Sequence, residues 1–133
     1  MFSSNKKRQA AKIDSLIGQN TEVQGNVVFS GGFHIDGKLK GNVIAHESSS
    51  LLTLSDHGVV EGEIRVPNII LNGTVIGDVY ASERVELAPK AKVMGNVYYN
   101  LIEMAMGAEV NGNLVHKPEG RPSGKMPSAE AES

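Results

Sequence analysis

A chain of 133 residues that is 40% hydrophobic, only 5% aromatic and without tryptophan lacks the bulky apolar material of a wide globular core, yet can fill a narrow one. Zero cysteine excludes disulfides, thiolate catalysis and cysteine-ligated zinc, and suits a reducing cytoplasm. The formal net charge of −2 hides an asymmetry: residues 1–12 carry four bases and no acid, whereas residues 13–117 hold seven bases and twelve acids.

Residues 1–15 read as a basic leader. Met1 and Phe2 are apolar enough to dip into a bilayer, and Lys6, Lys7, Arg8 and Lys12 can sit on anionic headgroups, where each base contributes about 1 kcal/mol. These six are the candidate membrane-targeting residues. The plainer reading is a solvated leader with no partner. Nucleic acid is a poor fit, because the acidic body would repel phosphates. No apolar run approaches the roughly 20 residues of a membrane span, and the start lacks the apolar stretch of a signal peptide. The expectation is a cytoplasmic chain held peripherally at the inner face of the membrane.

Residues 16–117 are organised by a repeat. Thr21-Glu-Val-Gln-Gly-Asn-Val27 returns as Gly37-Lys-Leu-Lys-Gly-Asn-Val43, and again from Gly58, Gly73, Ala91 and Ala108, at intervals of 16, 21, 15, 18 and 17 residues. The third position is Val or Leu, the seventh is Val, Ile or Leu, and the fifth is always glycine: Gly25, Gly41, Gly62, Gly77, Gly95 and Gly112. Between the copies, further apolar residues fall two apart: Phe33 with Ile35, Leu52 with Leu54, Ile69 with Leu71, Val85 with Leu87, and Ile102 with Met104. A spacing of two is the strand period, so each repeat holds about three short strands separated by corners. Glycine supplies positive φ at such corners, and the Asn or Asp that usually comes next tolerates the same conformation.

A unit of this size cannot bury its own apolar face. Stacked on a copy of itself it can, with parallel pairing and a continuous inward column. The fold expected is therefore all-β: one right-handed parallel β-helix of about six coils over residues 16–117. A sandwich or barrel would not need one glycine per unit. A left-handed hexapeptide β-helix, the architecture of many acyltransferases, would need a strict six-residue metric that these intervals break. The extra residues His46 to Ser50 make the register hardest to assign between residues 44 and 57. Residues 118–133, with three prolines and several Gly and Ser, have the composition of a disordered tail.

Several groups look chemical. Gly31-Gly32-Phe33-His34-Ile35-Asp36 brushes against a calcium-binding nonapeptide, but His34 stands where glycine is needed. Asp56 and His57 with Glu61 and Glu63 could be imagined as a metal or hydrolytic cluster; a row of solvated charges, with Glu61 and Glu63 on one face, is the simpler reading. His34, His46, His57 and His116 are scattered, and no phosphate-binding glycine loop is present. No catalytic, cofactor or metal residue is assigned.

With these residues in view, the sequence is similar to the bactofilin family of bacterial cytoskeletal proteins. The likeness rests on Ile17-Gly18, Gly25-Asn26-Val27, the segment Phe29-Ser-Gly-Gly-Phe-His-Ile-Asp-Gly37 followed by Gly41-Asn42-Val43, and Val85-Glu-Leu-Ala-Pro-Lys-Ala-Lys-Val93 followed by Gly95-Asn96-Val97. The resemblance implies a non-enzymatic scaffold that polymerises end to end with itself, without nucleotide or cofactor. It also implies non-polar filaments tethered to the inner membrane, which organise cell shape or local cell-wall synthesis and recruit wall enzymes or membrane proteins.

The residues themselves allow end-to-end assembly. A β-helix ends in an unpaired strand edge and an exposed core cross-section, and neither flank reads as an amphipathic cap. The candidate polymerisation residues are Ile17, Val23, Val27 and Phe29 at the N-terminal coil, and Tyr99, Leu101, Leu114 and Val115 at the C-terminal coil. A monomeric β-helical binding module is the third reading, beside the scaffold and the acyltransferase.

Overall fold

The computed structural model describes residues 14–117; the basic cluster and the segment from residue 118 lie outside the described residues. The repeat becomes a parallel β-solenoid of six coils, and each coil contributes one strand to each of three ladders. The first ladder stacks Ser15–Ile17, Gly32–Ile35, Leu51–Leu54 and Asn68–Leu71, then the C-terminal halves of Val79–Leu87 and Val97–Met104. The second stacks Glu22–Gln24, Lys38–Lys40, Val59–Glu61, Thr74–Ile76, Lys92–Met94 and Glu109–Val110. The third stacks Val27–Val28, Val43–Ile44, Ile64–Arg65, the N-terminal halves of the two long strands, and Leu114–His116.

The register follows the apolar pattern. Val23, Leu39, Val60, Val75, Val93 and Val110 align on the second ladder. Val27, Val43, Ile64, Val79, Val97 and Leu114 align on the third. The paired apolar residues between the copies align on the first, through the coil containing residues 44–57 as well. From Ile35 to Val97 these inward side chains are fully buried, one coil resting on the next at about 4.8 Å. Each interior coil fills the column with four Val, Ile, Leu or Phe side chains, five in the third coil where Val66 joins them, which is why so few aromatics suffice.

The three corners behave differently. The second, from Gln24 to Val27 and its counterparts, keeps one length in every coil. Two contacts hold it there. Each corner glycine lies so close to the one before it that a Cβ on Gly41, Gly62, Gly77, Gly95 or Gly112 would overlap the carbonyl oxygen of the glycine one coil earlier. Next to that column the Asx carboxamides and carboxylates staple successive coils: Asn42 N–H donates to Asn26 Oδ1 (2.9 Å), Glu63 N–H to Asn42 Oδ1 (2.9 Å), Asn96 N–H to Asp78 Oδ1 (2.9 Å) and Asn113 N–H to Asn96 Oδ1 (3.0 Å). The unequal repeat intervals are absorbed at the first and third corners.

The insertion at 46–50 shows how. It closes as a turn with Ser50 N–H on the Glu47 carbonyl (2.9 Å), and Asn68 in the next coil donates through Nδ2 to the carbonyls of Ser48 (2.9 Å) and Ser50 (3.0 Å). In the later coils the third corner is instead a bend inside a continuous strand, with a register shift between Ala81 and Arg84.

Candidate assembly surfaces

The two ends of the solenoid are unlike its middle. At the N-terminal end, Val23, Val27 and Phe29 are half-buried, packed against the core from above and uncovered below. The Phe29 ring lies 5.1 Å from that of Phe33 at a 58° tilt, so it closes the third corner of the first coil. Ile17, also a candidate interface residue, is already buried in the chain's own core. Asp14 ties down the start of this coil by accepting the Gly32 N–H at 3.0 Å.

At the C-terminal end the column opens. Leu114 stacks on Val97 and is 45% exposed, whereas Val97 is fully buried. Ile102, Ala108 and Val110 are likewise only partly covered, and Met106 stands 95% exposed in the first corner of the last coil. Tyr99 packs on the core and tilts against His116, ring to ring at 5.5 Å. Leu101 and Val115 sit differently: they align with Arg84 and Tyr98, on outward columns, and Leu101 is 59% exposed on the first face. Among the described residues no segment lies across either cross-section. Each end therefore offers unpaired strand edges around a ring of incompletely buried aliphatic side chains, which is what a further coil would cover.

The sides carry paired charges. On the second face Lys40 reaches Glu22 (3.7 Å) and Lys38 reaches Glu61 (3.6 Å). Gln24 and Lys40 hold the Glu22 carboxyl below its ordinary value, the Gln24 hydrogen bond contributing most. Glu61 and Glu63 do not share a face, contrary to the strand-period expectation: the Gly62 corner separates them, and Glu63 pairs with Arg65 at 3.1 Å around the bend. His57 Nδ1 lies 3.2 Å from Asp56 and 3.9 Å from Asp36, whose carboxylate also accepts the Ser55 hydroxyl. The other three histidines lie on other coils. Among the described residues no three His, Cys, Asp or Glu side chains group as metal ligands, and no helix is long and apolar enough to cross a membrane.

One surface feature goes unannounced in the repeat. On the third face the rings of Tyr80 and Tyr98 stack at 4.5 Å and 5°, the Arg65 guanidinium lies 4.1 Å over Tyr80, and the Lys117 ammonium lies 5.5 Å from the Tyr98 centroid. The separation of Tyr80 from Tyr98 equals one repeat interval, which was the available sign that they would meet.

Comparison with known proteins bears on these open ends. The family model described as "Bactofilin: Polymer-forming cytoskeletal" matches residues 15–115, nearly the whole solenoid. Bactofilin BacO of Myxococcus xanthus (strain DK1622) is 31% identical over 108 residues, covering 81% of this chain and 83% of that protein. Bactofilin BacP of the same organism is 23% identical over 115 residues, covering 86% of this chain and 47% of that protein, so the chain spans about half the length of this relative. No solved structure gives a significant match. With its six stacked coils matched almost from end to end, the chain belongs to the bactofilin family of polymer-forming cytoskeletal proteins.

Proposed function

We propose that this bactofilin polymerises end to end without nucleotide into filaments lying on the cytoplasmic face of the membrane, where they organise cell shape or local cell-wall synthesis. The observation that carries the assembly step is the pair of cross-sections left uncovered by the described residues: the column of buried Val, Ile and Leu stops at Val23 and Val27 below and at Val110 and Leu114 above, with unpaired strand edges around it. Burying such a side chain contributes about 1.5–3 kcal/mol, so several per end offset the association cost of about 4–15 kcal/mol. No catalytic step is part of the reading. The partners are further copies of the chain, an anionic lipid surface, and the wall enzymes or membrane proteins that a filament would gather.

The membrane half of the proposal rests on the leader, with Met1 and Phe2 beside Lys6, Lys7, Arg8 and Lys12. One leader binds weakly, but a filament presents many at once, and linked weak contacts multiply. The test is purified chain without nucleotide, imaged by negative stain and sedimented with vesicles of anionic or neutral lipid. Filaments that pellet with anionic vesicles, and lose that binding in high salt or on deletion of residues 2–8, are expected. A monomer in solution would sink the scaffold reading. Salt-insensitive binding, or binding that survives the deletion, would sink the leader's role and leave assembly standing.

A further inference from the structure

The third face carries one outward column: Val28, Ile44, Arg65, Tyr80, Tyr98 and Val115. Five of the six are apolar or aromatic, on a protein whose other faces carry paired charges. Arg65, Tyr80, Tyr98 and Lys117 stand against one another as a wall four coils long. Behind that wall the third corner recedes, because its residues are small or rigid: Ala45, Val66, Pro67 and Ala81. Tall side chains beside short ones leave a groove of about 320 Å³ that runs along the solenoid from His46 in the second coil to Lys117 in the last.

Lys117 lines this groove and is also the last described residue, so the next stretch of chain starts inside the groove's mouth. That stretch reads Pro118-Glu-Gly-Arg-Pro122-Ser. A proline at 118 disfavours the helical region at Lys117 and favours extended backbone there. Segments with recurring proline favour the polyproline II conformation, which makes no internal hydrogen bonds and suits apolar, aromatic-lined grooves. The lengths agree. Four coil steps of about 4.8 Å are roughly 19 Å, a distance that about six residues cover at 3.1 Å each.

We propose that this groove is the seat of residues 118–123 of the same chain. Pro118 lies against the ring edge of Tyr98, Pro122 comes level with Arg65 and Pro67, and Ser123 arrives beside His46. Glu119 stays near Lys117 at the cationic mouth. Tail seating of this kind adds an apolar cover to one side of the solenoid and leaves both ends free, so it is independent of end-to-end assembly.

Because the chain has no cysteine, an introduced pair reports on one contact alone. The test places His46→Cys with Ser123→Cys in the full chain and monitors disulfide formation under mild oxidation, at several protein concentrations. The reference is the same pair carrying Pro118→Gly and Pro122→Gly, which leaves every described residue in place and the tether the same length. The expected result is an intrachain disulfide whose rate does not depend on concentration and which forms on the order of tenfold faster than in the glycine reference, as seating raises the effective concentration of the two thiols. Replacing Tyr98 with Ala, with circular dichroism to verify the fold, should bring the rate down to that reference. Equal rates with and without the prolines would overturn the proposal and leave the groove for a foreign ligand. A disulfide formed chiefly between chains would overturn it in favour of a second copy as occupant. Both outcomes are readable whether the chain is in filaments or free.

Discussion

Glycine in the second corner does two jobs that substitution separates. At Gly77 the backbone sits at φ 146° and a Cβ would strike the Gly62 carbonyl; at Gly25 φ is 123° but none of the described residues lies within 4 Å of the missing Cβ, since no described coil lies beneath. Gly25→Ala therefore carries backbone strain alone, about 1–3 kcal/mol, whereas Gly77→Ala must also push two coils apart and should lose several kcal/mol more. Equal losses in thermal or urea melts of unassembled protein would show that axial stacking is not the constraint. The recurrence of glycine was legible in the sequence, and so was the positive φ found at Gly25, Gly41, Gly62, Gly77 and Gly95. The second reason was not: the overlap at Gly112, like that at the other corners above Gly25, comes from the coil beneath. Close approach between residues 15–21 apart can be seen only once the coils are stacked. Ser50 gives the opposite case. Its side chain is fully buried and its hydroxyl has no hydrogen-bond partner among the described residues. Ser50→Ala removes an unsatisfied buried group and should stabilise the chain by roughly 1 kcal/mol; a lowered melting temperature would mean that the hydroxyl is paired after all.

Strand period two gave the elements away, because one face of every strand is buried and a slip by one residue would turn it outward. The interior register, from Ile35 to Val97, was legible for that reason except between residues 44 and 57, where the extra residues His46 to Ser50 left it open and the structure pairs Leu52 with Phe33 and Ile69. The corners were less so. Glu61 and Glu63 are two apart, as neighbours on one face would be, but Gly62 turns the chain between them and sends one to Lys38 and the other to Arg65. The outward columns were harder still, since polar and apolar residues alternate there without a rule; Leu101 and Val115 looked like material for the last cross-section and belong to the sides. The Tyr80–Tyr98 stack has a titration that tests it. Burial, then the neighbouring Tyr98 and Glu63, raise the Tyr80 phenol above its ordinary value of 10.0, with Arg65 opposing. Because folding favours the neutral phenol, this contribution is fully present below about pH 10 and is lost as pH rises through the higher folded value. Ultraviolet titration should show a phenol ionising above the ordinary value, and Tyr80→Phe should remove that late step and flatten the alkaline loss of stability. A single phenolate transition at the ordinary value, unchanged in Tyr80→Phe, would count against the stack.

For the whole molecule the decisive question is what meets the open end beyond Leu114. Its side chain points along the column that Val97, Val79 and Ile64 fill below it, but it remains 45% exposed because no coil of the described residues lies above. A neighbouring subunit would complete its burial. The margin for assembly is narrow: a few side chains at about 1.5–3 kcal/mol each are set against an association cost of about 4–15 kcal/mol. One charge in that ring can therefore decide the outcome. Leu114→Arg would put a guanidinium opposite apolar side chains with no counterion, and desolvating an unpaired charge is strongly unfavourable. The subunit should still fold, since the five coils beneath keep their own buried column and the long Arg side chain can turn its charge to water when the end is free. Circular dichroism and melting should be close to those of the parent. Sedimentation should then find a monomer, or a dimer joined through the Val23–Val27–Phe29 end. The dimer carries further information: if subunits meet like to like, damage at the C-terminal end leaves the N-terminal contact whole, and pairs form but cannot grow. Head-to-tail contacts would use both ends in every joint, and the variant would stay monomeric. Long filaments of Leu114→Arg under the electron microscope would mean that the exposed end of the column is not where subunits join.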